Sequence, residues 1–108
     1  MALFGRRRAP HGAEGSGRHA QQTTLAHLTE FARSRVGVEA YIEPVTNVTQ
    51  TTVVLIAMTG EWTRRKVPDP RTARDIARQL EIPVYDVQLT GYPSRMREWN
   101  ARQRPRSS

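Results

Sequence analysis

Residues Gln50 to Met58 constrain the fold most. Around Val53, Val54, Leu55 and Ile56 the chain is β-branched and apolar at consecutive positions. Successive side chains of a strand point to opposite faces, so this strand is apolar on both and needs cover on both. The chain has 108 residues, enough for one domain. The cover must therefore come from its few other apolar segments.

Those segments read in order. Leu25, Leu28, Phe31 and Ala32 recur at helical spacing, which predicts a helix over about residues 24–36. Thr23 or Thr24 caps its start and Gly37 supplies the left-handed residue that ends it. Val38 to Glu43 alternates, with Val38, Ala40 and Ile42 on one side and Glu39, Tyr41 and Glu43 on the other, a half-buried strand. Pro44 to Thr49 is a polar loop. After the apolar strand, Thr59-Gly60 makes a tight turn and Trp62 to Val67 returns as a third strand. Asp69-Pro70 places a capping acid before a proline at the first helical position. Ala73, Ile76, Ala77 and Leu80 form the buried stripe of the helix that follows. Ile82-Pro83 stops it. Val84 to Leu89 reads as a fourth, edge strand, and residues 94–101 as a last helix with Tyr92, Met96 and Trp99 on one stripe.

The expected architecture is α+β: a small single domain of order α-β-β-β-α-β-α. It has a four-stranded, mainly antiparallel sheet with the two main helices on one face. Residues 1–21 read as a disordered basic tail, 22–101 as the folded part and 102–108 as a flexible basic end. Because the two main helices cover one face of the central strand, the Tyr92–Met96–Trp99 stripe is the candidate cover for the other. The same stripe, set among Arg95, Arg97, Arg102, Arg104 and Arg106, could instead meet a protein partner or a second copy.

The net charge is +7, and nearly all cations are Arg, with Lys66 the single lysine. Scarcity of Lys is chain-wide, so coding bias accounts for most of it and only clustering carries functional weight. There is no cysteine, which excludes disulfides, thiol catalysis and Cys-based metal sites and fits a cytoplasmic protein. No apolar run approaches the roughly 20 residues of a membrane span. At the start, Met1-Ala2-Leu3-Phe4 precedes Arg6-Arg7-Arg8, the reverse of a secretory signal.

The cations cluster at one strand–helix junction. Arg64, Arg65 and Lys66 end the third strand, and Arg71, Arg74 and Arg78 share the outer face of the next helix. Alternation puts Trp62, Arg64 and Lys66 on one strand face and Thr63, Arg65 and Val67 on the other. A Trp beside cations is a stacking and phosphate-binding surface. The competing reading is a solvated face, in which Asp75 pairs with Arg71 and Glu39 and Glu43 pair across strands with Arg64 and Lys66. The tail, with Arg6, Arg7, Arg8 and Arg18, adds nonspecific attraction at most.

Catalytic readings are poor. His27 and Glu30 share a helix face, but two ligands do not make a metal site. Glu39 and Glu43 lie about 13 Å apart along a strand, beyond an acid/base pair. No Gly-x-Gly-x-x-Gly follows a strand. No cofactor is expected, and an enzyme would need a pocket gathering His27, Glu30 or Asp86.

The order helix–three strands–helix over residues 24–80 resembles the double-stranded RNA-binding domain. That resemblance implies phosphate contact by cations at the start of the second helix, where Arg64, Arg65, Lys66 and Arg71 stand. Pro44-Val45-Thr46-Asn47 lacks that family's Gly-Pro-x-His, and Pro68 and Pro70 replace its Lys-rich helix start. The segments Gly60-Glu61-Trp62-Thr63-Arg64-Arg65, Ile82-Pro83-Val84-Tyr85-Asp86, Gly91-Tyr92-Pro93 and Arg95-Met96-Arg97 are similar to a group of short actinobacterial proteins, a resemblance that implies no function. The sequence thus points to non-enzymatic binding of a polyanion, RNA or a ribonucleoprotein surface before DNA. The alternative is a protein-interaction or assembly module.

Overall fold

The computed structural model describes residues 12–43 and 50–104, with side chains from Gln21 onward. The elements are α1 (Gly12–Ser34), β1 (Glu39–Glu43), β2 (Thr52–Ile56), β3 (Trp62–Lys66), α2 (Pro70–Leu80), β4 (Val84–Asp86), α3 (Val87–Thr90) and α4 (Ser94–Gln103). They form one α+β domain around a four-stranded sheet of order β3-β2-β1-β4. β1 and β3 both run antiparallel to β2, and β4 runs parallel to β1. β3 and β4 are therefore the two edges, and α2 carries the chain from one edge to the other.

The strand apolar on both faces is β2, second in the sheet and covered on both sides. Val53 and Leu55 join Ala40 and Ile42 of β1 on one face, against Leu28 and Phe31 of α1 and Ala73, Ile76 and Ala77 of α2. Val54 and Ile56 join Tyr41 on the opposite face, against Met96 of α4, with Trp62 at the margin. The two main helices share one face, as the apolar stripes predict. α4 takes the other, so the helices as a set lie on both faces rather than one. The reason is that Val54 and Ile56, both fully buried, would otherwise leave apolar surface in water.

Several boundaries differ from the sequence reading. α1 begins at Gly12, so its first turns run through a segment read as tail, and Thr23 and Thr24 lie inside the helix rather than capping it. Residues 1–11 and 105–108 of the two basic ends, and the whole 44–49 loop, lie outside the described residues. Gly37 takes the expected left-handed conformation, with φ 66°. Asp69 caps α2 as expected, its carboxylate accepting from the Thr72 amide at 2.8 Å. The helix ends at Glu81, a non-glycine residue with φ 58° whose N–H donates to the Arg78 carbonyl at 3.1 Å. β4 is shorter than residues 84–89. The Asp86 side chain accepts from the Gln88 amide at 2.8 Å and turns the chain into α3.

Candidate functional site

β3 is an edge strand whose inner groups pair with β2. The Val67 N–H donates to Thr51 O at 2.9 Å and the Ala57 N–H to Glu61 O at 2.8 Å. In antiparallel pairing such residues alternate, so residues 61, 63, 65 and 67 turn their main-chain groups toward β2. The main-chain groups of Trp62, Arg64 and Lys66 point out of the sheet. Side chains alternate across the same strand, and this divides the predicted cation cluster among three surfaces.

Trp62, Arg64 and Lys66 lie on the α4 side. Arg64 grips the Glu43 carboxylate with two hydrogen bonds, Nε at 2.7 Å and Nη2 at 2.8 Å. Glu43 also accepts from the hydroxyls of Thr52 and Tyr92. Burial pushes the Glu43 carboxyl pKa up, but the Arg64, Thr52 and Tyr92 hydrogen bonds together outweigh it and hold it below the usual range. The bond to Glu43 in turn raises the Arg64 pKa. Trp62 donates its indole N–H to Asn100 Oδ1 at 2.8 Å, and the Arg64 guanidinium sits 5.0 Å from its ring centre. Its ring is half-buried against the sheet, not an open platform. Lys66 is exposed and has no ion pair among the described residues.

Arg65 lies on the other side, half-buried beside α1. Arg71, Arg74 and Arg78 stand on the outer surface of α2, all exposed. Asp75 pairs with Arg78 at 3.1 Å, not with Arg71. Arg65, Arg71 and Arg74 form no ion pair among the described residues.

At the β3 edge, between the middle of α1 and the first turns of α2, lies a cleft of about 570 Å³. Arg64, Arg65 and Lys66 line it with Gln21 and Thr24 of α1, Gln50, and Thr72 of α2. Val67, Pro68 and Ile76 supply its apolar surface, and among the described residues no acidic one lines it. The Gln50 amide nitrogen donates to Val67 O at 3.1 Å. The cleft brings together three of the predicted residues and leaves out Trp62, Arg71, Arg74 and Arg78. Gln21, Thr24, Gln50 and Thr72 were missed. They carry no sequence signal, because they meet only when α1 and α2 pack beside β3.

The C-terminal stripe docks internally. Met96 is buried in the second core cluster. Trp99 is half-buried over Gly60, with the Arg102 guanidinium 5.8 Å from its ring centre. Exposed Tyr92 reaches back to Glu43. Glu39, placed in the sequence reading as a partner for β3 cations, instead accepts from Arg95 of α4 at 2.7 Å and from the Tyr41 hydroxyl at 3.0 Å. Burial and the bond to Glu39 push the Tyr41 hydroxyl up to about 12.

No family model, curated protein or solved structure matches the chain. What the site can do therefore rests on its own chemistry. His27 Nε2 lies 2.8 Å from Thr63 Oγ1, and burial followed by the Arg65 and Arg35 charges lowers its pKa. Among the described residues no group of three His, Asp or Glu side chains could hold a metal ion. No helix among them is long and apolar enough to cross a membrane.

Proposed function

We propose that the chain is a non-enzymatic, cytoplasmic protein that binds a polyanion, an RNA or ribonucleoprotein surface, through the β3 edge and the exposed side of α2. The observation that carries this reading is a cleft lined by Arg65 and Lys66 and by no acidic residue among the described ones, neither cation being ion-paired among them. Arg71 and Arg74, exposed and likewise unpaired there, extend the positive surface along α2. Net charge that survives internal pairing is what attracts phosphates. Arg64 contributes less than its position in the sequence implies, because Glu43 neutralises it.

The resemblance to the double-stranded RNA-binding domain supports the phosphate-binding part of this reading alone, since it implies phosphate contact near Arg71. An assembly module on an uncovered sheet face is the weaker reading, because Met96 and Trp62 already occupy that face.

The test is titration of labelled RNA and of duplex DNA with the wild type and the Arg65→Gln/Lys66→Gln/Arg71→Gln/Arg74→Gln variant at two salt concentrations. Affinity that falls steeply with salt and is weakened in the variant supports the reading. Preference for DNA changes the partner. Salt-insensitive binding, or no RNA binding at low salt, defeats it.

A further inference from the structure

The cleft is more than a patch of charge, and its make-up selects among polyanions. Arg65, on the α1 side of β3, lines it together with Lys66, whose own side chain leaves the opposite face of the strand. Gln21, Thr24, Gln50 and Thr72 surround it with amide and hydroxyl groups, and Val67, Pro68 and Ile76 give it apolar surface. One N–H of the Gln50 side-chain amide donates to the Val67 carbonyl, which leaves the second N–H as a donor and the amide oxygen as an acceptor. The volume of about 570 Å³ falls in the usual range for small-molecule and cofactor sites, roughly 300–1,000 Å³.

An anion-binding wall, hydrogen-bonding sides and an apolar surface together match a ligand with a phosphate, polar edges and a flat apolar body. A nucleotide has all three. A duplex presents only its phosphates and shallow groove edges to such a cleft, since its bases are stacked inside. An unpaired nucleotide can enter with its base face against exposed Pro68, beside the nearly buried Val67 and Ile76, and its phosphate at Arg65.

We propose that the cleft at the β3 edge is a binding site for one unpaired nucleoside monophosphate unit, free or within a single strand. This inference rests on the polyanion-binding reading above and narrows its ligand to unpaired nucleotides.

The experiment has two arms on the full chain. In the first, amide chemical shifts are followed by NMR as adenosine 5′-monophosphate, uridine 5′-monophosphate or inorganic phosphate is added. In the second, a labelled six-nucleotide RNA and the duplex of the same sequence are titrated at one salt concentration, with the wild type and with Arg65→Gln and Thr72→Val. Circular dichroism checks that both variants are folded. The expected result is that a mononucleotide moves the amides of Gln50, Arg65 and Thr72 more than phosphate does. The single strand binds about tenfold tighter than the duplex, and Arg65→Gln weakens it by about tenfold, the loss of one charge-assisted hydrogen bond. Shifts with mononucleotide but no strand preference assign the site to the free ligand, and the strand part of the proposal falls. Equal shifts with phosphate alone overturn the nucleoside part. Salt-dependent binding of single strand and duplex alike, with cleft amides unmoved, overturns the proposal and leaves polyanion binding standing. No binding of any ligand at low salt overturns both.

Discussion

Glu43 holds more of the structure together than any other single carboxylate among the described residues. It accepts from Arg64, Thr52 and Tyr92, which lie on β3, β2 and the segment before α4. Because its folded pKa sits below the ordinary 4.5, its contribution is fully present above that value. As pH falls the unfolded chain takes up the proton first, so stability declines through the folded pKa. Glu43→Gln should flatten this acid limb and lower stability at neutral pH by about 1–2 kcal/mol, given that Arg64 is 40% exposed. Urea titrations at several pH values measure both effects. Gly60 is the other sensitive residue. Its φ is 95°, and an added Cβ would fall on the Arg95 carbonyl oxygen and within 2.8 Å of Trp99 Cβ. Gly60→Ala should therefore cost more than about 2 kcal/mol and loosen α4. Thermal melts and near-ultraviolet dichroism of the tryptophans report it. A partnership of Glu43 with Arg64 or Lys66 was legible in the sequence from strand alternation, and Arg64 takes it. The Glu39–Arg95 pair was not, because nothing local says which face of the sheet α4 will meet.

At the scale of elements, α4 is the second lid of the sheet and Met96 is its anchor. Met96→Ala should destabilise the domain by about 2–4 kcal/mol, while Met96→Leu should stay nearly neutral, as volume-conserving core changes do. Denaturation followed by tryptophan fluorescence tests this, since Trp62 and Trp99 both flank the α4 seam. α2 was well marked in the sequence. Asp69 and Pro70 fixed its start, and Ala73, Ile76 and Ala77 are the face it buries. α3 was not marked, because one Asp86 side chain accepting the Gln88 amide redirects a segment whose composition reads as strand. The edge position of β3 was equally hidden. It follows from β4 pairing with β1 rather than with β3, a choice made when α2 crosses the sheet.

At the scale of the whole molecule, the two faces of the sheet separate two jobs. Arg64 belongs to the stabilising network under α4, and Arg65 to the open cleft beside α1. Arg64→Gln should lower stability and leave RNA affinity within about twofold, whereas Arg65→Gln should do the reverse. Paired melts and binding titrations distinguish them, and in the single-strand case loss of one phosphate contact should reduce the salt slope by about 0.7. Adjacent positions in a strand have opposite fates because their side chains leave opposite faces. The sequence by itself determined the types of all the elements but α3, the double-sided burial of β2, the sharing of one face by α1 and α2, and the surplus of arginine. These follow from periodicity, capping chemistry and composition, which are local. Only the tertiary structure decided which cations are neutralised, which face α4 covers, and that Gln21, Thr24, Gln50 and Thr72 meet at one cleft. Those are outcomes of strand order and helix placement, and residues up to 51 positions apart, such as Gln21 and Thr72, become neighbours only when the chain has folded.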